Sequence, residues 1–476
     1  MREYELIIDE ALKKGLTPER IIPVGTDWLW KALGFRIGRG GIEGYRVTTE
    51  EPLAGRVEVL YSWPFPQWIT GERYNFLIIR DSVVNMEDKV YVIADDYTVT
   101  HIFDCDQLTF GTGTLMEVAD FGEYAFMTNG VIMIYWDVGL ADWHEIIASP
   151  TIPMMRTVCN FKGQMIGGCV LSVWHDCDEK SYVWSNIGSA DFTPGQNNEA
   201  GYKRDPFGGI VYHVRRLGDQ VIGYSSKGIT LLDPVVEPVP SFGFTELDNV
   251  GLINRGAIDG DLQRQVYVGT DLIVRDISLQ GDMIKKQAVR ELGYFLYMDD
   301  LDSNKDIIVK YDRVKKDFYI GNDEVTYLLS PHGLTQVPQH PSALWTMSED
   351  DKDVVMLPST IDDPYVPMIS TGKLDMGYRG LKTVFSVEAD ASFTFGPEIA
   401  VGWLNALDVW GWGNYVHLNN EGIAVNITAG NNFVIMIKFQ YVMESITLTY
   451  IKVRYKMTDL RGIRGVYAPP LRGQSK

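Results

Sequence analysis

The sequence predicts an all-β protein with a divergent β-propeller, a C-terminal β-sandwich-like domain and a short N-terminal helical segment. Three observations predict this fold class. Short runs rich in β-branched and aromatic residues, such as Lys89–Asp95 and Val131–Trp136, follow one another from about residue 85. A hairpin with a glycine turn recurs, and no long amphipathic helix pattern lies between the strands. The 476 residues exceed one small core, so two or three domains are expected.

The first residues predict the helical segment. Glu3–Lys14 carries acidic residues early and Lys13 and Lys14 late, which suits the helix dipole, and Gly15 is a suitable C-terminal stop. Residues 1–84 are therefore predicted to form an N-terminal helix followed by an irregular β extension.

A recurring hairpin predicts the propeller over residues 85–345. Each copy is a strand, a short polar turn that ends in glycine, and a second strand, and the turn glycines are Gly130, Gly228, Gly333 and Gly422. They lie about 90 to 105 residues apart, which leaves room for two four-stranded blades of about 40–50 residues. A run of unrelated hairpins in β-sandwiches is the alternative.

An acidic, proline-punctuated stretch predicts the end of the propeller. Residues 346–369 contain "SEDDKD" and "LPSTIDDPYVP", which are typical of a linker. Beyond it, residues 370–465 alternate as half-buried strands and predict the β-sandwich, and residues 466–476 are predicted to be a basic tail.

Composition limits the classes of function. The formal net charge of -20 disfavours tight binding of nucleic acid, because such binding depends on basic side chains that neutralise phosphates. Four cysteines do not make a disulfide scaffold, so folding in a reducing cytoplasm is expected. No stretch approaches the length of about 18 apolar residues that a membrane span needs, so no membrane insertion by this chain is expected.

The sequence carries none of the common catalytic motifs and predicts no catalytic residue, no cofactor and no metal. The sequence has no H-E-x-x-H, no G-x-S-x-G and no phosphate-binding loop. Asp300, Asp302 and Asn304 stand at the first, third and fifth positions of a calcium-loop pattern. Lys305 and Tyr311 replace its essential glycine and glutamate, so a solvated loop is favoured.

One polar turn, "VWSNIGSADF" (Val183–Phe192), is unusually specific. Its serine, asparagine and aspartate have no histidine partner in the sequence, so a structural turn is favoured over a catalytic site. The polar residues are expected to satisfy backbone groups, the glycine to relieve the turn and the aromatic residues to anchor its ends. The predicted turn residues are Trp184, Ser185, Asn186, Gly188, Asp191 and Phe192.

Three segments resemble proteins of bacteriophage tails. "YVWSNIGSADFTP" (Tyr182–Pro194) is similar to a segment of tail hub and tail nozzle proteins. These include the packaged-DNA stabilisation proteins of short-tailed phages and, more distantly, the tail tubular protein B group. Leu217–Leu232 resembles the strand pair that follows in those proteins. Ser370–Asp390 with Ile446–Lys456 resembles their last domain.

The resemblance implies a structural role in the virion. Such proteins form rings, typically hexamers, between portal or adaptor proteins and distal tail proteins. These rings extend the channel through which double-stranded DNA passes without tight binding. An acidic surface suits a channel that must not hold phosphate. Assembly in the host cytoplasm and location in the virion tail are therefore expected.

The end of the chain is locally basic in this acidic protein, and it is a candidate docking arm for a neighbouring subunit or tail protein. A frayed, solvated tail is the alternative. The candidate assembly contacts are Arg454, Lys456, Arg461, Arg464 and Arg472.

Two other classes of function remain open. The 12 Trp and 25 Tyr residues are compatible with a carbohydrate-binding or glycan-cleaving propeller, which would need two carboxylates about 5–10 Å apart in an aromatic cleft. A propeller scaffold that binds peptides is the third possibility.

Overall fold

The computed structural model describes most of the chain. The described residues are 3–19, 23–45, 57–65, 74–81, 87–93, 99–104, 117–121, 124–128, 130, 133–137, 142–146, 150–196, 198–235, 241–279, 289–301, 306–322, 324–338, 343–345, 355–357, 366–378, 380–392, 397–404, 410–440 and 446–458.

Short strands with two short helices make up the first part of this structure. In chain order they are β1 Glu3–Ile8, α1 Glu10–Lys14, β2 Leu29–Leu33, β3 Phe35–Ile37, β4 Ile42–Gly44, β5 Val57–Phe65, β6 Tyr74–Asp81, β7 Glu87–Ile93, β8 Val99–Asp104, β9 Glu117–Phe121, β10 Tyr124–Thr128, β11 Met133–Asp137, β12 Asp142–Glu145, β13 Met155–Phe161, β14 Gln164–Val170, β15 Ser181–Trp184, β16 Gly201–Arg204, β17 Val211–Leu217, β18 Gln220–Ser225, β19 Ile229–Val235, β20 Ser241–Asp248, β21 Ile258–Gly260, β22 Arg264–Val268, β23 Val274–Ser278, β24 Val289–Gly293 and α2 Phe295–Asp299.

The remaining elements are all strands. They are β25 Ile308–Asp312, β26 Asp317–Gly321, β27 Thr326–Leu329, β28 Leu334–Val337, β29 Ala343–Trp345, β30 Val355–Leu357, β31 Met368–Thr371, β32 Lys382–Ser392, β33 Glu398–Leu404, β34 Trp410–Trp412, β35 Val416–His417, β36 Ile423–Gly430, β37 Asn432–Lys438 and β38 Thr447–Met457.

The first compact unit is propeller-like and comprises Thr48–Glu324 with His340–Thr360. It contains four-stranded antiparallel sheets in which the strands pair in chain order: β5–β8, β9–β12, β13–β16, β17–β20 and β21–β24. The first strands of neighbouring sheets lie side by side, since β13 contacts both β9 and β17, and β21 contacts β25. β29 contacts β25 and β5 and so joins the last sheets to the first. Such radial repetition defines a propeller.

Apolar clusters between consecutive sheets hold this unit together. Phe126 and Met133 of one sheet pack with Val158 and Met165 of the next. Tyr224 and Tyr267 lie in a further cluster, with their ring centroids 5.9 Å apart in an edge-on arrangement. The sheets β13–β16 and β17–β20 therefore bury both faces, which explains why β14 and β18 are buried along their whole length.

The second compact unit is a β-sandwich built from Met1–Val47, Val325–Gln339 and Ile361–Lys476. One sheet has the order β3-β4-β38-β32-β36, with β1 also paired to β38, and the other includes β28-β2-β31-β37-β33-β34. β36 packs on β33 and β3 packs on β28. The buried rings of Phe35 and Phe439 meet edge to face, 5.0 Å apart. The predicted all-β fold class is therefore confirmed.

The N-terminal prediction is wrong for most of the predicted helix. Residues Glu3–Ile8 form β1, and only Glu10–Lys14 is helical. The reason is the alternation of β1, in which Glu3, Glu5 and Ile7 are exposed while Ile8 is buried. The early acids that suggested a helix dipole instead face β38, where Glu3 lies opposite Lys456 and Glu5 opposite Arg454.

The boundaries of the two compact units also differ from the predicted domain boundaries. β1–β4 belong to the sandwich, and β5 and β6 belong to the propeller-like unit, so residues 1–84 are not one extension. Within the predicted linker 346–369, β30 pairs with β29. Long-range strand pairing joins segments that are distant in sequence, and a local pattern does not record it.

The recurring hairpin is a real structural unit in two of its copies. The buried Ser225 hydroxyl accepts the Lys227 and Gly228 N–H groups at 3.3 and 3.1 Å and donates to the Gly228 carbonyl at 3.0 Å. Ser330 makes the same three contacts in the turn that ends at Gly333. This second hairpin, β27–β28, belongs to the sandwich rather than to the predicted propeller, as does the turn at Gly422.

Replacing Ser225 with alanine removes the acceptor for the buried Gly228 N–H and the partly buried Lys227 N–H. We expect Ser225→Ala to lower the free energy of unfolding by about 1–3 kcal/mol in urea denaturation, because these donors lose their partner. Lys227→Ala in the same exposed turn is the control and should change it by less than about 0.5 kcal/mol. Equal losses in both variants would show that the hydroxyl is not what stabilises the turn.

Candidate functional site

The corner Trp184–Phe192 lies directly after β15 in the propeller-like unit. The buried Ser185 hydroxyl accepts the Met165 N–H at 3.0 Å and donates to the Asn186 carbonyl at 2.9 Å. The Ser185 N–H in turn donates to the Met165 carbonyl at 2.8 Å. This serine therefore joins the corner to β14 and is saturated with backbone contacts.

The other polar residues of the corner also bind the backbone. The Asn186 N–H donates to the Asp191 carbonyl at 2.8 Å, which closes the loop, and the Asp191 carboxylate accepts the Thr193 N–H at 2.9 Å. Gly188 has a φ of 71°, in the left-handed region that favours glycine. These contacts are those of a turn.

The aromatic ends of the corner enter two different apolar clusters. Trp184 contacts Phe242 edge to face at 5.3 Å, in the cluster shared with the following sheet. Phe192 is fully buried in the cluster shared with the preceding sheet. The corner thus connects the cores on both faces of its sheet.

Two of the candidate assembly contacts are paired within the sandwich. Arg454 binds Glu5 at 3.2 Å and Glu388 at 3.0 Å, and Lys456 binds Glu3 at 2.9 Å. They belong to a ladder of charges across β1, β38 and β32. Arg461, Arg464 and Arg472 lie outside the described residues.

The strand β36 presents apolar side chains to solvent. It is the last strand of its sheet and, among the described residues, pairs only with β32. Val425 and Ile427 are 64% and 76% exposed, whereas the alternate residues Asn426 and Thr428 are buried and bound to each other at 2.7 Å. This pattern is the reverse of the usual one for a strand with one solvated face.

An aromatic group lies on β33 and β34 in the same unit. Trp403 faces Gly411 and Trp412 faces Gly402 across the strand pair, so each ring covers a glycine. Trp412 is 42% exposed, and nearby Tyr415 is 38% exposed with Lys438 4.1 Å from its ring centre. The group is an exposed aromatic surface with a cation beside it.

A buried acid–base cluster joins the inner strands of the propeller-like unit. Glu117 at the start of β9 accepts hydrogen bonds from the Thr157 hydroxyl and from the Val158 N–H, the latter at 3.2 Å. Its other carboxylate oxygen contacts His213 Nδ1, and His213 Nε2 lies 2.6 Å from the Arg255 carbonyl. One carboxylate therefore connects β9, β13 and β17.

The hydrogen bonds define where the protons lie. The Arg255 carbonyl only accepts, so His213 Nε2 carries a proton, and a second proton lies between Nδ1 and Glu117. Burial by itself would raise the pKa of Glu117, but His213, with Arg215 and Arg255, outweighs burial and lowers this pKa. Glu117 is therefore a carboxylate with three donors.

A pocket of about 340 Å³ extends from this cluster along the inner strands. Val158 and Val214 belong to its apolar wall, and exposed Leu262 and Arg313 lie in the turns that follow β21 and β25. Burial raises the pKa of the Cys159 thiol in the wall well above its usual value, so this thiol is neutral. The pocket is a candidate binding site.

The predicted ion loop is only partly visible. Asp300 is exposed at the end of α2, and Asp302 and Asn304 lie outside the described residues. In the described part of the chain, no group of three or more His, Cys, Asp or Glu side chains is placed to hold a metal ion. No described helix is long and apolar enough to cross a membrane.

Sequence reasoning missed the Glu117–His213 cluster. The two residues are 96 positions apart, and neither stands in a motif. The one signal was local: Glu117 precedes the apolar pair Val118 and Ala119 at the start of β9, where an acid is unusual. Its partner is determined only by the stacking of three sheets.

Removing the Asp191 carboxylate should weaken the corner. We expect Asp191→Ala to lower the free energy of unfolding by about 1 kcal/mol in urea, because the Thr193 N–H loses its acceptor. Asp191→Asn keeps an acceptor oxygen and is the control, with a loss below about 0.5 kcal/mol. An Asp191→Ala protein with the wild-type free energy of unfolding would contradict the structural role.

Removing the Glu117 charge should destabilise the propeller-like unit. We expect Glu117→Gln to cost about 3 kcal/mol at neutral pH, because a buried pair loses one partner. Since the folded pKa of Glu117 is lowered, its contribution is present above the unfolded value near 4.5 and is lost as pH falls through the folded pKa. The difference between wild type and variant, followed by urea denaturation, should therefore shrink below pH 4.5.

The matched control for this variant is Glu398→Gln. Glu398 contacts His417 at 3.3 Å in an exposed Glu–His pair. Its loss should cost less than about 1 kcal/mol at neutral pH. Equal costs for the two variants would contradict the role of the buried pair.

Comparisons with known proteins give a weak structural likeness and no family. No family model matches the chain, and no curated protein matches it. Among solved structures, it is similar to the extracellular domain of a hybrid two component system from B. thetaiotaomicron, with 9% identity, a TM-score of 0.39, and coverage of 78% of this chain and 46% of that one. A second structure, the extracellular domain of a one component system from the same organism, has 8% identity, a TM-score of 0.42, and coverage of 91% and 64%. The chain thus covers less than two thirds of the length of either of these two proteins.

Proposed function

We propose that the chain is a structural protein of a bacteriophage tail, of the hub or nozzle type, which forms a ring that retains or conducts the packaged genome. Three segments that resemble such proteins support the proposal: Tyr182–Pro194, Leu217–Leu232 and Ser370–Asp390 with Ile446–Lys456. The first supplies the corner that connects two cores of the propeller-like unit. The third supplies β32 and β38, the central strands of one sandwich sheet.

The observation that carries the proposal is the outer face of β36. An edge strand has unpaired N–H and C=O groups, and soluble monomers usually protect such edges with charges, prolines or bulges. β36 instead exposes Val425 and Ile427 and buries polar side chains beneath them. Such an apolar edge is suited to pairing with another protein chain, and a ring subunit needs complementary surfaces of this kind.

The charge of the chain is consistent with a DNA channel. A net charge of -20 repels phosphate, so DNA slides past rather than binds. In the proposed ring, the basic end of the chain would attach a subunit to its acidic neighbour. Arg461, Arg464 and Arg472 are the residues for that contact, because Arg454 and Lys456 already have partners within the sandwich.

The assembly can be tested on the purified chain by negative-stain microscopy and sedimentation. Wild type should form large rings, and Val425→Lys should remain a folded monomer, because a charge on β36 opposes burial of the strand. Val173→Lys makes the same substitution at an exposed valine in the other unit and is the control. Rings that persist in Val425→Lys would contradict a role for β36, and a wild type that stays monomeric with tail components would contradict the ring.

A second candidate function is glycan binding, which the exposed rings of Trp412 and Tyr415 favour. Aromatic faces with neighbouring polar groups can stack on sugar rings. A monomer that binds or clears polysaccharide, with loss of binding in Trp412→Ala, would support this function and argue against the nozzle.

A further inference from the structure

The turns around the pocket of the propeller-like unit carry several basic side chains, although the protein is acidic. The hairpins that connect the first and second strands of successive sheets bring cations to one end of the inner strands. Asp219 and Asp261 lie at this end, and the buried Asp312 and Asp317 flank the hairpin between β25 and β26. Basic side chains lie in the same turns. They are Lys162, Arg216, Arg313, Lys315 and Lys316.

The acidic residues at this end are already occupied. Asp219 is shared by Lys162 at 3.5 Å and Arg216 at 3.8 Å. Asp261 accepts the Gln263 and Arg264 N–H groups at 2.7 and 2.9 Å and the Tyr311 hydroxyl at 2.8 Å. Neither carboxylate forms an ion pair with Arg313 in the described part of the chain.

Two arginines of the pocket wall retain donors for a ligand. Arg216 uses its Nε to bind the Gly218 carbonyl at 2.8 Å, and among the described residues its terminal nitrogens have only the long contact with Asp219. Arg313 is exposed and has no ion-pair partner among the described residues. Both arginines line the same cavity, because β17 and β25 are inner strands of one unit and their turns lie at the same end.

The interior of the pocket does not favour a cation. Glu117 is compensated by His213 and saturated by three donors. The wall beside it is formed by Val118, Ala119, Val158 and Val214, with the neutral thiol of Cys159. An occupant therefore meets an apolar wall and guanidinium donors.

We propose that this pocket binds a compact organic anion, with its carboxylate or phosphate held by Arg216 and Arg313 and its less polar body against the valines. Guanidinium groups bind both kinds of acid through paired hydrogen bonds. The volume of about 340 Å³ matches a small molecule and excludes a folded partner. This site is independent of the proposed tail function, since it involves neither β36 nor the sandwich.

Matched sugars test the proposal by isothermal titration calorimetry on the full chain. Glucuronate and glucose 6-phosphate each differ from glucose by an acid group, so the charge is the main variable. At least one of the two should bind about 10-fold tighter than glucose, because a charged hydrogen-bonding group contributes about 1.5–3 kcal/mol. Tighter binding of glucuronate would indicate a carboxylate site, and tighter binding of glucose 6-phosphate would indicate a phosphate site.

Variants locate the site. Arg313→Ala and Arg216→Ala should each weaken binding of the acidic sugar about 10-fold or more and leave glucose unchanged. Lys227→Ala removes an exposed cation in the turn at the opposite end of its sheet and should leave all three affinities unchanged. Melting temperatures will show whether Arg216→Ala is folded, and exposed Arg313 allows the charge reversal Arg313→Glu as a second variant.

Three results would overturn the proposal. These are no binding of either acidic sugar at about 10 mM, equal affinity for all three sugars, and acid binding that Lys227→Ala weakens as much as Arg313→Ala. None of them bears on ring formation, so failure of this site and failure of the tail function can be told apart.

Discussion

The buried carboxylate of Glu117 is the interaction on which the arrangement of the inner strands depends. It binds Thr157 and Val158 on one strand and His213 on the next, so a single side chain determines the position of three sheets. A buried carboxylate is costly unless every lone pair has a donor, so neighbouring strands cannot shift without loss of a partner. The apolar clusters supply most of the burial, and this polar contact determines the register.

The close packing of neighbouring sheets also requires small residues at particular positions. Gly223 on β18 lies against the Tyr182 ring of the preceding sheet, and a Cβ atom there would lie 2.4 Å from the Tyr182 oxygen. The Tyr182 hydroxyl donates a hydrogen bond to the buried carboxylate of Asp205 at 3.2 Å. The ring is therefore held by packing against Gly223 and by this hydrogen bond. Burial raises the pKa of Tyr182 well above its usual value, which keeps the hydroxyl protonated as a donor.

The two surfaces with functional potential differ in physical kind. β36 in the sandwich is apolar and extended, which suits a protein chain that can pair with its edge. The pocket in the propeller-like unit is small and carries guanidinium donors, which suits a small anion. The first supports a role in assembly, and the second adds a binding capacity that assembly does not need.

The sequence by itself determined the fold class, the recurring hairpins and the polar corner. These depend on local chemistry, because β-branched residues favour strands, Gly228 and Gly188 permit tight turns, and Asp191 binds a backbone group two residues away. Only the tertiary structure decided that β1 pairs with β38, that Arg454 and Lys456 are bound to acids, and that Glu117 meets His213. Each of those contacts joins residues far apart in the chain, and its energy exists only after the sheets have stacked. The same is true of the pocket, whose arginines come together because separate turns end at one edge of the inner strands.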